Sequence, residues 1–131
     1  MPTIPSDTVL LDLDVFTWMG DVQDLFTVTA VTATGSAIGD AAALSTGVNI
    51  VTNDSAAKGV QLPAPSAAGE HVIIKHSAVD TNIYPSDASA TINSGTAGVA
   101  IDSDASTGFG WVWLVSTSTT NYDTIHFDAA A

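Results

Sequence analysis

Apolar and polar side chains alternate along this chain in short runs, most of them closed by glycine, proline, asparagine or aspartate. In residues 9–16, Val9, Leu11, Leu13 and Val15 share one parity, while Leu10, Asp12, Asp14 and Phe16 share the other. Successive side chains of a strand point to opposite faces, so this run predicts a half-buried strand. Further strands are predicted over residues 27–34, 47–52, 59–63 and 71–76. The run at 71–76 reads as the most central, with Val72 and Ile74 on one face and Ile73 on the other. Short strands follow at 82–84, 90–92 and 98–101, and longer ones at 109–116 and 122–127. Residues 38–44 have room for one helical turn or a loop. Helix should otherwise be scarce.

About nine or ten strands at roughly 8–12-residue spacing, with no helices between them, predict an all-β fold, a single β-sandwich or jelly-roll-like barrel. No repeat of 20–50 residues stands out, which argues against a solenoid or propeller. Two parts are expected: residues 1–26 as an extended N-terminal arm or first strand, and residues 27–131 as the β-sandwich domain. Pro2 and Pro5 keep the first residues out of regular structure. A chain of 131 residues suits one domain that buries roughly two-thirds of its extended surface. Such a core needs no disulfide staple, and the absence of cysteine leaves the redox compartment open.

Charge narrows the function. Lys58 and Lys75 are the only cationic residues against fourteen acids, giving a formal net charge of -12. Nucleic-acid and anionic-membrane binding both draw on Lys and Arg, so neither is expected. Catalysis that holds charged substrates with cations lacks its usual means. Glu70 is the sole glutamate; the other thirteen acids are aspartates, which favour turns and caps over helix interiors. No basic segment precedes an apolar run as in a secretory signal, and no run approaches the ~18 residues of a membrane-spanning helix. A mean hydropathy of +0.32 with 12% charged residues implies much uncharged surface. Large surfaces of that kind mark interfaces, and the chain reads as a subunit.

Candidate chemistry is thin. His71 and His76 are five apart, an odd spacing that puts them on opposite faces of a strand. They cannot readily share an ion, and with His126 they read as surface or interface histidines at strand ends. Asp102-Ser103-Asp104 resembles the start of a calcium loop, but Thr107 and Trp113 stand where an EF-hand needs Gly and Glu. No Gly-x-Ser-x-Gly elbow or glycine-rich phosphate loop is present. No enzyme activity, metal site or cofactor is expected. Phe109, Trp111, Trp113 and Val115 form an aromatic row, read as sandwich core or as a seam between subunits. With Tyr84, the same aromatics would also serve as a sugar-stacking platform.

One stretch carries a resemblance. The segments Ala33-Thr-Gly-Ser-Ala-Ile-Gly-Asp-Ala-Ala-Ala-Leu44, Gly47-Val-Asn-Ile-Val-Thr52 and Gly59-Val-Gln-Leu-Pro63 come first. Gly69, Val72-Ile-Ile-Lys75, Tyr84-Pro85 and Ala90-Thr-Ile-Asn93 continue the pattern. Together they resemble small all-β virion proteins of tailed phages, of the capsid decoration (cement) or head-fibre type, over roughly residues 33–113. The resemblance implies a non-enzymatic, often trimeric protein on the exterior of a virus capsid, with the major capsid protein and itself as partners. Residues 1–26 lie outside it. Within them Val9, Leu11, Leu13, Val15, Phe16 and Trp18 are expected to dock on the capsid. The alternative is a head- or tail-fibre module that binds a receptor or carbohydrate. Copies at -12 apiece repel one another, so assembly is expected to strengthen with salt or divalent cations. The scarcity of Lys and Arg also fits a saline host.

Overall fold

Short alternating runs between turn residues make strands, and the computed structural model has ten of them in the residues it describes, 27–77, 79–105 and 108–128. They are β1 (Val28–Thr32), β2 (Ala42–Ala43), β3 (Gly47–Thr52), β4 (Gly59–Gln61) and β5 (His71–Ser77). Then come β6 (Thr81–Tyr84), β7 (Thr91–Ile92), β8 (Ile101–Ser103), β9 (Phe109–Ser118) and β10 (Asn121–Phe127). The fold is all-β, with no helix among the described residues. Residues 38–44 make only a single turn, where Asp40 and Ala41 N–H donate to the Ala37 carbonyl, and then run into β2. Gly35 permits that turn: its φ is +59°, and a Cβ there would lie 2.3 Å from the Asp40 backbone. The sequence-predicted strand at 98–101 lies three residues further on, as β8.

Two sheets result. One has the order β1-β3-β5-β9-β10-β7 and the other the order β2-β4-β6-β8. The first six strands alternate between the sheets, and their pairings within each sheet are parallel. After each strand the chain crosses to the opposite sheet, so the next strand returns in the same direction. The first half therefore winds as a coil, one strand in each sheet per turn. Sandwiches and jelly rolls build instead on antiparallel neighbours, so their strand order is not what these sheets display. Apart from one antiparallel bridge between Thr34 and Gly59, antiparallel pairing appears only later, where β8 joins β6 and β9 lies between β5 and β10. The coil escapes a search for repeats because its turns differ in length: Val28 lies beside Val48, and Val48 beside Ile73.

Strand register arranges the core in rows. Thr29, Asn49, Ile74, Val112 and Phe127 stand side by side across the six-stranded sheet, as do Val31, Val51, His76 and Gly110. Val60 and Ile83 meet them from the four-stranded sheet, in one cluster with Leu44, Leu62, Leu114 and Tyr122. Two asparagines satisfy the backbone inside the coil. The fully buried Asn49 accepts from Ser45 N–H (3.0 Å) and donates to the Ser45 carbonyl (2.8 Å). Asn53 donates to the Asp80 carbonyl and the Thr81 hydroxyl, both at 3.0 Å, and so ties one turn of the coil to the next. Buried amides paired in this way avoid a desolvation penalty of about 1–3 kcal/mol each.

Candidate interaction face

The same register that fills the core lays out the opposite side of the six-stranded sheet. One row across it is Val28, Val48, Ile73, Trp113 and His126; the next is Ala30, Ile50, Lys75 and Trp111. Phe109 and Val115 extend β9 to either side. The face is apolar yet not covered: Val28 is 63% exposed, Ile50 40% and Phe109 45%. A bulge in β10 between Thr124 and His126 leaves Ile125 without a cross-strand partner and 53% exposed at the rim.

Each aromatic ring of β9 is held by a neighbour. The Trp111 ring stacks on His126, with centroids 3.7 Å apart and planes within 12°. His126 Nε2 in turn lies 3.1 Å from the Asp128 carboxylate. Trp113 Nε1 donates to His71 Nδ1 at 2.8 Å. The Lys75 ammonium sits 5.2 Å from the centre of the Phe109 ring, a cation–π contact that anchors both. Fixing large rings in advance lowers the entropy lost when a partner arrives. Rigid aromatics of this kind are what protein interfaces favour.

The acids that reach this face stand on its β10 side, Asp123 beside Val115 and the Asp128 carboxylate beside His126. Of those described, only Asp102 and Asp123 fall on strands, and the rest lie in the connections. Lys58, the other cation, is paired with Asp54 at 2.7 Å on a distant loop.

The aromatic row was expected in the core or in a seam. The core takes the other parity of β9, Val112 and Leu114, while Trp111, Trp113 and Val115 are half-buried on the outer face. His76 also departs from the surface position expected of it. It is fully buried, with Nδ1 donating to the Val79 carbonyl (3.1 Å) and Nε2 therefore accepting from the Ser103 hydroxyl (2.8 Å). Burial holds its pKa below the ordinary 6.5, against the pull of Asp80, Asp102 and Asp128. The sequence cue was parity, since His76 shares a face with Val72 and Ile74. Tyr122 is buried too; its hydroxyl donates to the Pro63 carbonyl at 3.1 Å, and desolvation raises its pKa. No three His, Asp or Glu side chains among the described residues converge to hold a metal. No described helix is long and apolar enough to cross a membrane. The expected docking segment, Val9 to Trp18, lies outside the described residues.

The chain matches no protein-family model, no curated protein and no solved structure.

Proposed function

We propose that this chain is a capsid decoration protein that assembles with copies of itself, in a trimer, on the exterior of a tailed-virus shell and reinforces it against internal pressure. The observation that carries the reading is the outer face of the six-stranded sheet, apolar and aromatic, with its acids confined to the β10 side, in a chain of net charge -12. Burial there contributes about 25 cal/mol per Å², and no reaction chemistry is called for. Phe109, Trp111, Trp113 and Val115 form the intersubunit seam on this reading. Val9, Leu11, Leu13, Val15, Phe16 and Trp18 reach the major capsid protein. The finer architecture that goes with it is a two-layered sandwich with an N-terminal arm, in which the layers share the core cluster.

A second reading, a receptor- or carbohydrate-binding fibre module, draws on Trp111 and Trp113. Against it, Trp111 already has one ring face against His126, and the Trp113 N–H is engaged by His71. Gold-labelled antibody against this chain, applied to intact virions and imaged by electron microscopy, tests both readings. Label spread over the capsid surface is the expected result. Label confined to fibres or tail tips would favour the second reading, and unlabelled virions would overturn both.

A further inference from the structure

The outer face of the six-stranded sheet is electrically two-sided. Its aromatic strand, β9, lies between β5 and β10. On the β5 side stand His71, Ile73 and Lys75; on the β10 side stand Asp123, His126 and Asp128. Register sets them in three rows across β9. His71 and Asp123 both flank Val115, and Ile73 and His126 both flank Trp113. Lys75 faces Trp111 from one side; Asp128, one residue past the Phe127–Val112 pair, reaches it from the other, accepting from Trp111 N–H at 3.4 Å.

The two sides differ in what they offer. Lys75 is exposed and sits over the Phe109 ring, and no carboxylate pairs with it among the described residues. His71 Nδ1 accepts from Trp113 N–H, so the neutral ring keeps its hydrogen on Nε2 as a donor. The β5 side thus presents donors and the β10 side carboxylates. Within one chain they stand two strands apart, about 10 Å, with Val115 and Trp111 between them.

A rotation about an axis parallel to the strands keeps every residue at its own level. With the outer faces turned toward such an axis, the β5 side of each copy meets the β10 side of the next, and donors meet carboxylates row by row. Repeated round the axis, the contact closes as a ring. An axis across the strands would instead set β10 against β10, acid upon acid, which is the costly arrangement.

We propose that copies of this chain assemble about an axis parallel to β9, outer faces inward, with Lys75 of each copy meeting Asp128 of the next and His71 meeting Asp123. The inference rests on the self-assembling reading above and adds the axis and the contacts to it. The tryptophans of β9 then gather round the axis, and the polar pairs flank them.

The chain has no cysteine, so introduced pairs report these contacts directly. Lys75→Cys combined with Asp128→Cys, oxidised in solution and run without reductant, should give copies joined covalently, while either change alone should give single chains. A disulfide needs Cα atoms within about 7 Å, so the bond cannot form inside one chain. His71→Cys with Asp123→Cys repeats the measurement at the other end of the strands, where Asp128 is left intact. Light scattering on the natural chain separates the two possible failures. A natural multimer whose cysteine pairs stay unlinked, or in which Lys75→Cys alone links as well as the pair, would overturn the axis and leave self-assembly standing. A natural chain that runs as a monomer would overturn both.

Discussion

His76 and Gly110 stand opposite each other on β5 and β9, and neither tolerates much change. A Cβ on Gly110 would lie 2.3 Å from His76 Nε2 and 2.1 Å from the Asp104 carbonyl oxygen. Gly110→Ala should therefore cost about 2–3 kcal/mol, the upper range for overpacking, as a lowered midpoint in urea denaturation. The histidine itself links folding to pH. It is neutral in the fold and protonates more readily in the unfolded chain. The stability this gives is complete above the ordinary value of 6.5 and is lost as pH falls through the lowered folded value. Denaturation midpoints at about pH 7.5 and pH 5 should fall more for the natural chain than for His76→Gln. Equal falls would mean that other groups carry the acid sensitivity. Asp102 works in the opposite sense. Burial, then Asp80 and Asp104, raise its pKa, so its ionised form detracts from stability once the pH exceeds the folded value.

At the scale of elements, parity along β9 separates folding from assembly. Leu114 and Val112 fill the core, whereas Trp111 and Trp113 face outward. Leu114→Ala should cost about 2–5 kcal/mol of stability, as buried leucines do. Trp113→Ala should leave the denaturation midpoint nearly unchanged while weakening association. A large stability loss from the tryptophan variant would place its ring in the core after all. Strand positions were legible because alternation is local: 47–52, 71–76 and 109–116 all became strands. The faces of 71–76 were legible too, and His76 followed Val72 and Ile74 inward. Which face of β9 turned inward was not, because aromatic bulk argues for burial while register with Ile74 and Val72 decides it. The parallel order was hidden for a similar reason. It depends on crossings between sheets, which leave no two-residue turn signal of the hairpin kind, and on coil turns of unequal length.

Taken whole, the molecule separates its charge from its stickiness. Asp87, Asp54 and Asp40 sit in loops, and the outer face of the six-stranded sheet carries Lys75. Contact through that face brings together the least repulsive parts of two acidic bodies, but their remaining charge still opposes approach. Raising salt from about 0.02 M to about 0.3 M shortens the screening length several-fold, so association should tighten over that range. A salt-independent assembly would mean that charge is not the opposing force. The measurement closest to the central claim is the mass of the full 13.3 kDa chain in solution by light scattering, beside Ile50→Asp. Ile50 is 40% exposed in the middle of the outer face, so the change puts an acid there without disturbing the core. The account predicts a multimer for the natural chain and a folded monomer for the variant. A natural chain that runs as a monomer in salt, or a variant of unchanged mass, would contradict it.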